Sequence, residues 1–251
     1  MLTKNEIKYI QSLAQKKHRD KENVFLAEGP KVIGELVGLC TCKMLCGTKH
    51  FIDSHPEFQS YNIREITERE LQHASFLKAP QEALAIFEKP TESVCPTSGL
   101  SLALDCVQDP GNLGTLIRTA VGAGVRAMFL TSNTVDIYNE KTVRSTMSGL
   151  CKLPIYTNVT KDSVIKLIEE QGIILYGTVL EESVDYGQPS YEGATMIALG
   201  NEANGISEDI LQLVTQRISI PMYGPMESLN VAIAGALCMY KVQERKLCLS
   251  K

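Results

Sequence analysis

The chain has 251 residues, 44% of them hydrophobic, and a formal net charge of −4. That is enough apolar material for one large domain or two modest ones, and the negative charge excludes loose, charge-driven affinity for nucleic acid, so an RNA or DNA must be held by a local patch. The first residues lack the apolar run of a signal peptide and no later stretch has transmembrane length, which sets a cytoplasmic location and no membrane partner as the expectation. The 8 cysteines lie mostly inside apolar runs and read as reduced thiols, not a disulfide framework.

Taken in order, Thr3 and Glu6 form a T-x-x-E capping box that opens a basic helix carrying Lys4, Lys8, Lys16, Lys17, Arg19 and Lys21 against Glu6 and Asp20. A solvated helix face or an RNA-facing patch both explain it. Strands are expected at 24–28, 43–47, 62–66 and 83–87, with helices near 31–39, 49–55 and 67–76, an α/β rhythm that closes a unit at about residue 90. Residues 91–99, rich in Pro, Ser and Thr, read as a linker. From Leu100 to Lys251 a second alternation follows: LSLALD, AMFLT and KLPIY each lead into a helix, then come GIILYGT and TMIALG, a short helix after Ser207, and QRISIP before the final helix. Strands spaced by single helices imply a mostly parallel sheet whose carboxyl-end loops are available to a ligand.

Three loops carry polar residues where a purely structural turn needs few. The first, Asp105 to Ala120, turns on Pro110 and Gly111 and presents Asn112, with Arg118 on the helix that follows. The second, Ala198 to Ser207, sets Asn201 and Glu202 directly after an apolar strand. The third lies in Ile220 to Lys241, where Pro221, Gly224 and Pro225 break a strand and Glu227, Ser228 and Asn230 crowd the start of a small-residue helix. Ser228 fits an N-cap there. Val231 to Tyr240 has the composition of a buried or dimer-facing helix.

In this order and at these separations, DPGNLGTLIRTA, LGNEANGI and IPMYGPMESLNVAIA closely resemble the SpoU/TrmH branch of the SPOUT methyltransferases. The stretch from Val135 to Tyr156 is similar too, except that the family's S-M-G-S reads Thr146-Met147-Ser148-Gly149 here, which leaves the local turn open. FLAEGPKVIGELV is a weaker match to the small substrate-binding domain that many members carry, related to ribosomal-protein RNA binders. The resemblance implies an α/β protein in which a small N-terminal RNA-binding domain, residues 1–90, precedes a SPOUT catalytic domain, 100–251, with a deep trefoil knot. It also implies S-adenosylmethionine as cofactor, RNA as substrate and a homodimer built on the last helix. Mapped by motif, Thr178, Leu199, Gly200, Ile220, Met222 and Leu229 would line the cofactor, and Asn112, Arg118, Glu202, Ser228 and Asn230 would form the reaction site. The reaction implied is methylation of a ribose 2′-hydroxyl, with ribosomal RNA favoured over transfer RNA by the N-terminal extension.

Two other patterns point elsewhere. Gly122-Ala123-Gly124 with Ala127 matches G-x-G-x-x-A, but it follows a helix and precedes a strand, the reverse of a dinucleotide site. Cys42, Cys46, His50 and His55 have the spacing C-x3-C-x3-H-x4-H, yet fall on a strand and the next helix, so no metal is expected. A silent RNA-binding or assembly protein of the same fold, and a nicotinamide-dependent oxidoreductase, are the competing readings.

Overall fold

The structure, a computed structural model, describes residues 1–91 and 98–249. The expected linker falls mainly on residues outside those described. The chain forms two compact units, Met1–Thr91 with Asp136–Lys152, and Glu92–Val135 with Leu153–Lys251. A segment that the sequence places inside the second half therefore belongs by its contacts to the first.

In the first unit, α1 (Lys4–Ser12) has both halves of the Thr3/Glu6 capping box. The hydrogen bond from the Thr3 backbone N–H, reinforced by Arg64, holds the Glu6 carboxyl down at about 2. The expected single basic helix is two: α1 stops, and α2 (Lys16–Glu22) starts after a break at Leu13–Gln15. The break exists because Arg19 turns inward. It is 5% exposed, donates to the Leu13 and Ala14 carbonyls at 2.6 and 2.8 Å, and pairs with Asp136. Arg19 is thus structural and leaves the surface patch to the lysines.

The strands β1 (Val24–Glu28), β2 (Cys42–Gly47), β3 (Ile63–Glu65) and β4 (Ala83–Glu88) form a sheet ordered β1-β4-β2-β3. Helices α3 (Pro30–Leu36), α4 (Lys49–Ser54) and α5 (Glu68–Ala74) complete it. The first of these ends short of the expected residue 39 because Val37 is extended and Gly38 takes φ +88°. The core beneath α1 and α5 is aliphatic, from Ile10 and Leu13 to Leu84 and Ile86. The inserted segment contributes Tyr138, whose ring lies 5.2 Å from Phe25.

The second unit holds β5 (Leu100–Leu104), α6 (Pro110–Gly122), β6 (Ala127–Thr131), β7 (Ile155–Val159), α8 (Lys161–Gln171), β8 (Ile174–Thr178), β9 (Val184–Asp185), β10 (Thr195–Leu199), α9 (Glu208–Leu211), β11 (Gln216–Ser219) and α10 (Val231–Leu249). The short α7 (Glu140–Thr146) lies in the inserted segment. The sheet runs β7-β6-β5-β10-β8-β11-β9, every neighbouring pair parallel. Only β9, two residues long, escapes a reading of the sequence. Because the strands are parallel, the ends of β5, β8, β10 and β11 face one way: Leu104 pairs with Leu199, Gly177 with Ala198, and Thr178 with Ile218. The three polar loops of the sequence therefore leave one edge of one sheet.

Candidate active site

Two of those loops are tied together. The buried Asp105, the first residue after β5, donates its N–H to the Leu199 carbonyl at 2.8 Å and accepts from the Ser207 N–H at 2.7 Å. Asn201 accepts from the Ala203 and Asn204 N–H groups at 2.9 and 3.0 Å and donates to the Cys106 carbonyl at 2.9 Å. Gly200 is required by close approach: a Cβ there would stand 2.1 Å from the Gly205 carbonyl carbon. Asp105 and Asn201 thus set loop shape, a role that cannot be read from strand-terminal polarity alone.

At the head of α6, Asp109 caps the helix by accepting from the Asn112 N–H at 2.8 Å. At the head of α10 the cap is Asn230, not Ser228: its Oδ1 accepts from the Ala232 and Ile233 N–H groups at 2.9 and 3.3 Å. The capping bond fixes the orientation of the Asn230 amide. With Oδ1 held by N–H donors, Nδ2 faces outward and donates to Asn112 Oδ1 at 3.0 Å. That in turn leaves the Asn112 Nδ2 to donate to Glu202 Oε1 at 2.8 Å. Polarity therefore runs one way, Asn230 to Asn112 to Glu202, and ends on an acceptor-only carboxylate. Three side chains separated by 118 and 90 positions in sequence share one chain of hydrogen bonds.

Glu202 reaches Asn230 only through Asn112, which lies between them in the hydrogen-bonded run. Arg118 is exposed on α6, and among the described residues its guanidinium makes no hydrogen bond or ion pair. It lies six positions beyond Asn112, about 9 Å along the helix axis. Ser228 is likewise exposed and without a hydrogen bond among the described residues.

The residues mapped to the cofactor occupy the same edge. Thr178 ends β8 and its hydroxyl donates to the Ala198 carbonyl at 2.9 Å, so that side chain braces β8 on β10. Leu199 is buried, whereas Ile220 and Met222 are half-buried and Leu229 is 37% exposed. Among the described residues the backbone N–H and C=O groups of Ile220, Met222 and Leu229 carry no hydrogen bond. Open backbone groups beside half-exposed apolar side chains fit an adenosine-sized group read by main-chain hydrogen bonds and apolar contact.

The chain matches the family described as SpoU rRNA Methylase over residues 99–240 and the MRM3-like substrate binding domain over residues 4–85. It belongs to the SpoU family. A relative from Bacillus subtilis, 23S rRNA (guanosine(2553)-2′-O)-methyltransferase RlmP, is 33% identical over 95% of this chain and 96% of its own. The structure of an AdoMet-bound rRNA methyltransferase from Sinorhizobium meliloti superposes with a TM-score of 0.85 at 32% identity, covering 97% of this chain and 96% of that one. The SpoU methyltransferase AviRb of Streptomyces viridochromogenes, in complex with AdoMet, gives 0.86 over 98% of this chain and 99% of its own; at 23% identity that likeness speaks to the fold alone.

The discounted patterns have structural places. Gly122 ends α6, and Gly124 precedes β6. Cys46 is buried, His50 pairs with Glu82 at 3.5 Å, and His55 stacks on Phe51 with ring centroids 4.8 Å apart. Among the described residues no three His, Cys, Asp or Glu side chains converge on a common point. At the altered S-M-G-S position the chain turns at Met147, φ 55°, and Ser148 Oγ donates to Glu35 Oε2 at 2.7 Å.

Proposed function

We propose that this chain transfers a methyl group from S-adenosylmethionine to a ribose 2′-hydroxyl of RNA, with ribosomal RNA as the substrate class. The hydrogen-bonded run from Asn230 through Asn112 to Glu202 carries the reading, because it joins the three family motifs at one edge of a parallel sheet. Membership of the SpoU family and the naming of the Bacillus subtilis relative support the same chemistry.

Bound S-adenosylmethionine would supply a sulfonium methyl, an electrophile that needs no further activation; Ile220, Met222 and Leu229 would hold it by backbone groups and apolar contact, with Leu199 and Gly200 beneath. The protein's own task is then to hold the 2′-oxygen in line and to manage its proton. Arg118 is not the group that takes that proton, since a guanidinium offers hydrogen-bond donors and no acceptor. It grips the neighbouring RNA phosphate and stabilises the developing oxyanion, for which its freedom from internal partners suits it. Asn230 and Asn112 are held rigid by the helix cap at one end and the Glu202 carboxylate at the other, and they position the ribose together with Ser228. A pH–rate profile of the wild type against Arg118→Lys tests the arginine: the lysine variant is expected to lose at least tenfold in kcat, and near-normal turnover would remove any special role for the guanidinium.

The same reading extends to architecture. α10 packs on α6, β10 and β5, whereas β11, which it follows, lies beyond β8. The chain between them recrosses the sheet, which supports a final helix drawn through the loops as a trefoil knot; an experimental trace whose joined ends leave no crossing would remove that part. Ile233, Leu237, Tyr240 and Leu247 form an exposed apolar stripe on α10 at i, i+4, i+7 and i+14. It supports a homodimer on this helix, and Leu237→Glu should convert the dimer to a monomer in sedimentation analysis. The seven described cysteines are all free, as a reducing cytoplasm requires; cell fractionation tests that location.

A further inference from the structure

A cavity of about 530 Å³ opens within the first unit, between α3 and the turn Pro56–Phe58, and nothing in the reaction site uses it. Its volume suits a nucleoside-sized group. Phe58 is buried at its floor, with the rings of His55 and Tyr61 at centroid distances of 6.1 and 6.3 Å. Gly34 sits over that floor: a Cβ added there would meet Phe58 Cζ at 3.4 Å, so a longer side chain would cover the ring. Glycine is the poorest helix former after proline, and its place inside α3 keeps the space above the buried Phe58 open beside the half-buried rings of His55 and Tyr61.

The polar groups around the rings have a definite sense. Glu35 Oε2 accepts from Ser148 Oγ at 2.7 Å, while Oε1 has no hydrogen bond among the described residues. Glu57 adds an exposed carboxylate. His55 Nδ1 donates to the Phe51 carbonyl at 3.1 Å, which leaves Nε2 of the neutral ring as an acceptor. The rim is thus rich in acceptors, and the one Lys or Arg lining it among the described residues, Lys31, stands one helical turn before Gly34. Aromatic faces, acceptors and a single cation match an unpaired base that stacks, offers N–H donors and trails a phosphate. Guanine offers two such donors side by side, N1–H and the N2 amino group, in the geometry a carboxylate accepts.

We infer that this cavity binds an unpaired guanine base of the RNA substrate. The inference rests on the RNA methyl-transfer reading for the source of the base, but its test does not depend on turnover. The full-length protein, with only 4 histidines, is titrated with guanosine 5′-monophosphate and separately with uridine 5′-monophosphate while the imidazole proton signals are followed by NMR. His55 is assigned by its loss in His55→Asn. The guanosine nucleotide should shift the His55 signal upfield with a dissociation constant on the order of 1 mM, as expected for one stacked base. Uridine 5′-monophosphate should shift it less, and both Tyr61→Ala and Gly34→Leu should abolish the shift, two variants guarding against misfolding of either. No shift in the wild type, a shift retained in both variants, or an equal response to both nucleotides would overturn the inference. S-adenosylmethionine titrated calorimetrically into the same samples separates the two readings: wild type that fails to bind it sinks methyl transfer and leaves the cavity result standing.

Discussion

The loops at the carboxyl edge of the parallel sheet differ sharply in how they are held. The loop after β10 is fastened at both ends: Asp105 takes the Ser207 N–H, Asn201 reaches the Cys106 carbonyl, and Gly200 lets the backbone fold back on Gly205. Among the described residues the loop from Pro221 to Leu229 makes no such ties, and Tyr223 and Met226 are 96% and 69% exposed. Asn230 is where the two regimes meet, fastened to α10 by its cap and to the tied loops through Asn112. The contrast teaches a division of labour. One half of the edge is preorganised and holds the polar groups proposed for the reaction, and the other offers backbone that a ligand can complete.

The most damaging test of that division separates the two jobs of Asn230. Asn230→Asp keeps an N-cap acceptor but replaces the donor to Asn112 with a carboxylate oxygen facing the Asn112 Oδ1; it should fold as the wild type does, bind S-adenosylmethionine within a few-fold, and lose at least about 100-fold in kcat, ~3 kcal/mol, because two acceptors then oppose each other. Asn230→Ala should lose turnover as completely and also about 1 kcal/mol of stability, read as a lower Tm. Equal Tm values for the two would show that the cap matters little.

Next in size is a pair of glycine changes. Gly200→Ala forces a Cβ against backbone and should cost roughly 1–3 kcal/mol in denaturant unfolding. Gly224→Ala meets nothing within 4 Å and should leave stability within about 0.5 kcal/mol. A similar cost at both positions would erase the distinction between the tied and the open loop.

Glu202→Ala should lower kcat by about 10- to 100-fold, since it frees Asn112 to turn without removing a group from the substrate. Glu202→Gln still offers an acceptor to the Asn112 amide and should recover most of that loss. Failure of the glutamine variant to recover would mean that the negative charge itself acts on the reaction.

Much of this architecture was legible in the sequence, because strand periodicity, capping boxes and turn residues are local. β1 and β4 were bounded to within a residue, and the Thr3 capping box formed as read. What escaped depends on partners distant in sequence. Ser228 and Asn230 are both good caps, and only the contact with Asn112 shows why the second is used. Arg19 looked like one more surface cation until Asp136, 117 positions on, drew it inside. The inserted segment Asp136–Lys152 carries no compositional mark of the unit it joins. The site residues came from motif resemblance, whereas the direction of their hydrogen bonds came only from geometry.

The most direct test is methyl transfer itself, followed with labelled S-adenosylmethionine on ribosomal RNA taken from a strain lacking this protein. The label should appear on a ribose 2′-oxygen at a defined nucleotide with the wild type and vanish with Asn230→Asp. Tight binding of S-adenosylmethionine with no label in any RNA, or label on a base in place of a ribose, would contradict the account.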